Sequence, residues 1–463
     1  MGLTGGRLRR AAVVGLALGL VALSAPAATA ANSVALSAPA ATAANSTLTG
    51  STAGGSTVTD STVGVVPSRV RDPWLWQATV GQRPAGPAAL VFFTDRTRYF
   101  ESTGVLVARD GAYRLIPIGI AEGHGLLSPD GRHYLRPQSG ELLDLTTGRQ
   151  RRTVKPGLHP FAWSPDGRRV LGTRSNDDQV ISYGPDNQQL NDPEKPDDLL
   201  VVDPYQGTEQ VVAAGTFAAH NGAAWSPGGD LVAVTGSPDV PAQLAERQRL
   251  VVLDPAGGGP RWQVDLGDRR ILAGPAAWHP DGRRLALLAF DGCAGPRCTA
   301  EQAAARTWRI EFLDTATGQA VGQALPAGTS ASGIIGWRGD DPILRYLSET
   351  EQDTDRQTIL AALSPDGGRE VLVTTPVGST DLMVPGDLLT RAAFGGPEPR
   401  PSPFAAPLWV YLTLAVPTLL AIALVVSRIR RHRAATATAP RRSLLRHDNE
   451  PPSGAATGTT TSS

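Results

Sequence analysis

Lysine is almost missing from this 463-residue chain: every basic residue except Lys155 and Lys195 is arginine. With abundant Ala, Gly and Pro, that bias reflects a GC-rich bacterial genome and assigns no chemistry. Cysteine is as scarce, at Cys293 and Cys298 alone. No cysteine lies near the N-terminal processing region, which argues against a lipoprotein, and two cysteines without partner ligands do not make a metal or redox centre. A basic footprint is lacking too. Once the two Arg-rich ends are set apart, the middle holds 33 basic against 41 acidic residues, a net of −8. That excludes nucleic acid as a partner, because phosphate backbones need a positive surface. The G-x-S-x-G elbow of hydrolases is absent, since Gly328-Thr329-Ser330-Ala331-Ser332 fails at its last position. No D-x-[DN]-x-[DN]-G calcium loop occurs either.

The two ends are targeting segments. Arg7, Arg9 and Arg10 precede the apolar stretch Ala11 to Leu23 and the small-residue site Ala28-Thr29-Ala30, the pattern of a signal peptide over residues 1–30. The segment Val21–Ser33 is repeated without change at Val34–Ser46 and supplies a second cleavage-like site at Ala43. The first site lies nearer the apolar run and is the expected one. Residues 31–65 are Ser/Thr/Ala-rich with little to bury, and so read as a disordered linker. Near the other end, residues 408–427 are uncharged and mostly apolar, about the 20 residues that a bilayer core requires. Trp409 and Tyr411 sit at one end and Arg428, Arg430, Arg431 and Arg433 at the other. By the positive-inside rule the basic, disordered tail 428–463 is cytoplasmic. The expected localisation is therefore a single-pass cell-membrane protein with an extracytoplasmic domain at 66–395 and a Pro-rich stalk at 396–407.

The middle is built on a repeat. Trp163-Ser164-Pro165-Asp166-Gly167 has close variants at Leu127–Gly131, Trp225–Gly229 and Trp278–Gly282, with a weaker echo at Trp337-Arg338-Gly339-Asp340. In each, Pro fixes φ at the first corner, Asp caps the turn and Gly takes the left-handed position. Asp130, Asp166 and Asp281 are thus structural turn residues. A second signal, an apolar run ending in Asp with Gly a few residues on, recurs at Asp144, Asp203, Asp254 and Asp314. The two series keep step, so one unit reads as a four-stranded antiparallel meander, the blade of a propeller. Leu363–Gly367 looks like another first turn, but its register makes it the third-to-fourth strand turn of the Trp337 blade. The Gly104-to-Ile116 hairpin, turning at Asp110-Gly111, is the same element of an earlier blade. Blades are expected to begin near 70, 126, 161, 223, 276 and 334, with the stretch 381–395 closing the ring against the first. The fold class is all-β: a six-bladed β-propeller (seven being the alternative count) with one C-terminal transmembrane α-helix.

These turns resemble the TolB-like, or WD40-like, SPDG-repeat β-propellers of exported bacterial proteins, over roughly residues 85–375. The resemblance implies the fold and is nearly silent on function, because such propellers serve as scaffolds, peptidase partners and lyases. The C-terminal span departs from the soluble periplasmic members, so their partners do not transfer.

Turns of a meander alternate between the two faces of the ring. The tight SPDG and DxxxG turns share one face, and the long second-to-third strand loops share the other with the blade-to-blade connections. Function is expected on those long loops. An acidic binding face would include Asp177, Asp178, Asp192, Asp197 and Asp198 from one loop and Glu349, Glu351 and Asp353 from another. His124, His159 and His220 each precede the first strand of a blade and could converge at the channel mouth to hold a divalent metal, although their unequal offsets count against it. His279 replaces the turn Ser and reads as a turn residue. Cys293 and Cys298, close together in one loop of an exported domain, are expected to be bridged. The SPDG turn is not the sialidase box. The stretch Asp254 to Trp262 faintly resembles the Asp-Gly-Trp motif of quinoprotein propellers but occurs once. The sequence favours a non-enzymatic binding or scaffolding module of the bacterial envelope with a protein or glycan partner and no cofactor. The alternative is a metal-dependent lyase or hydrolase with its site at the channel mouth.

Overall fold

The computed structural model describes residues 64–437 except 75, 95–102, 118–124, 138, 175–181, 184–188, 191–196, 218–221, 237–247, 258, 295–297, 349–355 and 403. Six four-stranded antiparallel sheets follow one another, so the chain is a six-bladed β-propeller. Blade two runs Leu126–Leu127, His133–Leu135, Glu141–Asp144 and Gln150–Arg152, and blade three Leu158–Trp163, Val170–Arg174, Asp197–Asp203 and Thr208–Phe217. Blade four begins at Ala223, blade five at Arg270 and blade six at Ala331. The first strands of blades two, three and four touch in turn.

The burial pattern explains why these runs are strands. A blade is covered by a neighbour on each side, so its middle strands are apolar throughout rather than alternating. Ala88–Thr94 and Val232–Gly236 are buried at every position, whereas the outer strand Gln150–Arg152 is exposed throughout. The core accordingly sits between blades. Leu171, Leu199 and Val201 of blade three pack with Ala223, Trp225 and Val234 of blade four in one cluster.

Each SPDG turn is stitched in the same way. The Ser164 amide donates to the Arg169 carbonyl, the Arg169 amide donates back to the Ser164 hydroxyl, and the Gly167 amide donates to the Ser164 carbonyl at 2.9 Å. Gly167 takes φ +68°, a conformation that side chains with a Cβ disfavour. Asp166 accepts from the Ser164 hydroxyl and from the Arg168 amide. Asp130 and Asp281 accept from the amides of Arg132 and Arg283 in the equivalent place. The look-alike at Ser364 closes one residue earlier, with Gly368, and joins strands Gln357–Leu363 and Arg369–Thr374, the third and fourth of blade six.

The tryptophans tie the blades together. Trp225, Trp278 and Trp337 donate through Nε1 to the carbonyls of Ala162, Ala224 and Ala276, each in the preceding blade, at 3.3, 3.2 and 2.7 Å. His279 does the same work from the Ser position. It is buried, its Nε2 lies 2.9 Å from Asp340 Oδ1 of blade six, and its ring stands edge-on to Trp337.

Blade one is assembled differently. Its chain-continuous strands are Ala88–Thr94, Thr103–Ala108 and Tyr113–Ile116, so it begins at residue 88 rather than near 70. Its first strand is Ser379–Met383 from the far end of the ring, paired antiparallel as Val91 with Met383 and Phe92 with Leu382. Only the beginning of 381–395 is therefore the closing strand. After the short helix α1 (Ala300–Ala304) in the blade-five loop comes α2 (Gly386–Arg391), and then Ala393–Gly396 pairs parallel with Val65–Pro67.

Residues 398–402, 404 and 405 run back along blade one. Arg71 Nε meets Glu398 at 2.5 Å, Trp74 Nε1 donates to the Pro401 carbonyl at 3.0 Å, and the Ala78 amide donates to Ala405 at 3.0 Å. Helix α3 (Leu408–Ala437) follows, with Pro417 inside it. Its stretch Leu408–Ala434 is long and apolar enough to cross a membrane, and none of its apolar window is buried in the protein.

Candidate functional site

The turn face is not uniform. Helix α2 lies on it, because Leu388 and Leu389 are buried there and Asp387 binds two neighbours. The Asp387 amide donates to the Pro129 carbonyl at 3.0 Å, and Asp387 Oδ2 accepts from Arg109 at 2.7 Å. Arg109 also donates to the Asp130 carbonyl, so one guanidinium joins blade one, the first turn of blade two and α2.

Beside α2 opens a cleft of about 1030 Å³, lined by the turns Pro129–Asp130 and Trp163–Arg168, by Asp203, Tyr205 and Gln206, and by Gly386, Asp387, Thr390 and Arg391. Tyr205 stands up from a DxxxG turn in which the amides of Tyr205 and Gln206 both donate to Asp203 Oδ1, at 2.8 and 2.9 Å. Its ring packs against Trp163 with centroids 6.1 Å apart and edge-on against His133 at 5.1 Å. Burial pushes the Tyr205 phenol up to about 12 and lowers the His133 imidazole. At neutral pH the phenol keeps its proton, and its oxygen lies 3.4 Å from His133 Nδ1, a contact whose direction the imidazole tautomer sets. The Trp163 Nε1 is buried and meets no acceptor among the described residues, unlike its counterparts in the next three blades.

Four carboxylates and two guanidiniums edge the cleft: Asp130, Asp166, Asp203, Asp387, Arg168 and Arg391. Burial works to raise the Asp166 carboxyl, but the Ser164 hydroxyl, the Arg168 amide and the nearby arginines outweigh it and hold it below the usual carboxylate range. Ser164 is fully buried and bonded both to Asp166 and to the Arg169 amide. It is therefore unavailable as a nucleophile.

The residues expected from the sequence fall out as follows. His159 lies on the first strand of blade three with its side chain exposed, while His124 and His220 lie outside the described residues. Among the described residues no three His, Cys, Asp or Glu side chains gather to hold a metal ion. Asp197 and Asp198 are not in a loop: they open the strand Asp197–Asp203, with Asp197 buried, because pairing with blade three's second strand continues to Arg174 opposite Asp198. Asp177, Asp178, Asp192, Glu349, Glu351 and Asp353 lie outside the described residues. A disulfide joins Cys293 to Cys298. The cleft itself was missed. Its sequence signal was Val384-Pro385-Gly386-Asp387, a proline and then an acid opening a helix inside a stretch read as strand.

No family model matches the chain, and no curated protein matches it either. Solved structures do. TolB from Acinetobacter baumannii aligns at 15% identity and TM-score 0.42, over 64% of this chain and 66% of TolB, just under two thirds of that protein's length. An oligogalacturonate lyase in complex with manganese aligns at 14% identity and TM-score 0.41, over 66% of this chain and 77% of the lyase. The oligogalacturonate lyase of Vibrio parahaemolyticus aligns at 13% and 0.40, over 66% and 78%. By its own sheet order the chain is a six-bladed β-propeller, and TolB is among the solved structures that it resembles.

Proposed function

We propose that this chain is a binding module of the bacterial envelope, a six-bladed ring exported behind a signal sequence, held by one C-terminal span, and presenting its turn face to an envelope protein. The observation that supports this reading most is the cleft beside α2. It is open, its walls are rigid turns at strand ends, and Trp163 and Tyr205 supply apolar area flanked by Arg168, Arg391 and the turn carboxylates. Rigid aromatics with a polar rim are the composition of protein-binding hot spots. A depression of this width accepts a polypeptide loop more readily than a small substrate, which needs enclosure. The apolar helix, exposed along its length, supports attachment to a bilayer.

Two measurements on the full chain in its native host test the proposal. A photocrosslinking residue at Gln206, on the rim, is expected to give a discrete protease-sensitive adduct that a crosslinker at Val321 of blade five does not give. Equal labelling at both positions, no adduct, or a protease-resistant glycan adduct would each overturn the protein-binding reading. Orientation is read separately. A cysteine at Gln206 should react with an impermeant maleimide on intact cells, and one at Ser443 only after permeabilisation.

A further inference from the structure

We propose that Trp74, Trp76 and Phe404 form an interfacial foot, through which blade one rests in the headgroup region of the outer leaflet. This rests on the single-span reading above. Of the nine tryptophans, the exposed ones are Trp74, Trp76 and Trp409, at 43%, 47% and 59%. Trp409 belongs to the first turn of α3, so all the exposed indoles collect at one end of the apolar helix. Phe404, at 77%, is the most exposed large apolar side chain among the described residues. Tryptophans elsewhere in the ring are buried or half-buried, and four of them, Trp225, Trp262, Trp278 and Trp337, spend their indole N–H on a neighbouring blade.

The patch is built rather than accidental. Trp74 and Trp76 are stacked with centroids 6.2 Å apart and planes 17° apart. Trp74 is fixed by its bond to the Pro401 carbonyl, and the Tyr113 hydroxyl holds the Pro399 carbonyl at 3.1 Å. The Ala78 amide, two residues from Trp76, then bonds Ala405. From Ala405 to Leu408 is three residues, which reach at most about 11 Å when fully extended. Headgroup regions add roughly 5–8 Å on each side of the hydrocarbon core. The tether is thus short, comparable with the thickness of one headgroup layer, and keeps the aromatic patch beside the entry of the span. Indole is the side chain that such a layer favours, with an apolar body and one N–H for a polar neighbour. Continuity with the span decides for lipid over a protein partner.

The test uses the full chain in phosphatidylcholine nanodiscs. Cys293 and Cys298 are bonded to each other, so a nitroxide can be placed at Ser402→Cys with all three aromatics intact. Power saturation should show that the label meets oxygen more than an aqueous nickel complex. Adding Trp76→Ala and Phe404→Ala, both exposed and therefore compatible with folding, should shift the label to water-like accessibility. A label at Val321→Cys on blade five should be water-like throughout. The foot is overturned if the Ser402 label is water-like from the start, or unmoved by the double variant, while a label at Leu419→Cys reports the bilayer core. A water-like Leu419 label would instead overturn the span itself, and the foot with it.

Discussion

Blade one and blades four to six have the same four-stranded sheet but are held in the ring by different means. Blades four, five and six reach back to the preceding blade through the indole N–H of Trp225, Trp278 and Trp337. Blade one has no such tryptophan. It is closed by the strand Ser379–Met383, by the parallel pair Val65–Pro67 with Ala393–Gly396, and by the ion pairs Arg71–Glu398 and Arg109–Asp387. A local stitch forms between segments adjacent in sequence. The closure joins segments about 300 residues apart in the chain, so it has the larger entropy to overcome. The comparison therefore makes blade one the seam of the ring.

The largest effect should come from the seam. Leu382 is 1% exposed in the closing strand and Leu272 is 3% exposed in the first strand of blade five. Either change to Ala should cost about 2–5 kcal/mol, but in different ways. Leu382→Ala should raise hydrogen exchange locally, across 88–94 and 379–396, well below the global unfolding transition. Leu272→Ala should lower the global transition with no such local opening. If the closing strand stays as protected in Leu382→Ala as in the parent chain, blade one is not the seam.

Two glycines at the same turn position sharpen the contrast. Gly131 and Gly282 both have φ +70°, so alanine costs about 1–2 kcal/mol at either from backbone strain alone. A Cβ at Gly282 meets nothing, whereas one at Gly131 would lie 2.7 Å from the Ala88 carbonyl and 2.9 Å from Pro385 Cγ, where α2 begins. Gly131→Ala should therefore be the more destabilising in urea titrations, and it should also loosen 379–396 by hydrogen exchange. Equal costs would mean that α2 gives way easily and adds little to closure.

A smaller effect separates the tryptophans. Trp278→Phe removes the bond to Ala224, a cost of about 0.5–1.5 kcal/mol. Trp163→Phe removes an N–H that has no acceptor among the described residues, so its cost should be clearly lower. Thermal unfolding of both variants checks the order, and a reversal would show that Trp163 is engaged by a group beyond those described.

The same contrast explains what could be read from the sequence. Turn chemistry is local: Ser, Pro, Asp and Gly within four residues specify a corner, so the blades and even the false turn at Ser364 were legible. Its one-residue-shorter closure shows why register, rather than motif, was the safer guide. Closure is non-local. The expected closing stretch 381–395 runs across strand end and helix alike because the six residues of α2 carry less than two turns of helical periodicity, and nothing near Val65 announces a parallel partner beyond Ala393. The cleft depends on that same non-local placement, since Trp163 and Tyr205 line it only because α2 lies alongside. Of the three histidines, His159 alone can be followed in the fold.

Acid should give the smallest and most distributed effect, and it should fall on the stitched blades. Burial favours protonating Asp281, but the Arg283 amide, His279 and Arg284 together hold it at about 2, against an ordinary value of 3.8. Burial acts likewise on Asp144 and Asp166 and is likewise outweighed, by Thr146 and Thr147 for the first and by Ser164 and the Arg168 amide for the second. A carboxyl depressed in the folded state stabilises above its unfolded value and loses that contribution as pH falls through the folded one. Stability should therefore be level above about pH 5 and decline between roughly pH 4 and 2. Asp281→Asn removes the titrating group, so it should lower stability at pH 7 and flatten the acid decline, leaving the two chains nearly equal near pH 2. Melting temperatures at pH 7, 4 and 2.5 decide it. An undiminished acid decline in Asp281→Asn would assign the loss to other carboxylates, with Glu398 of the closure, which Arg71 holds low, the next to replace.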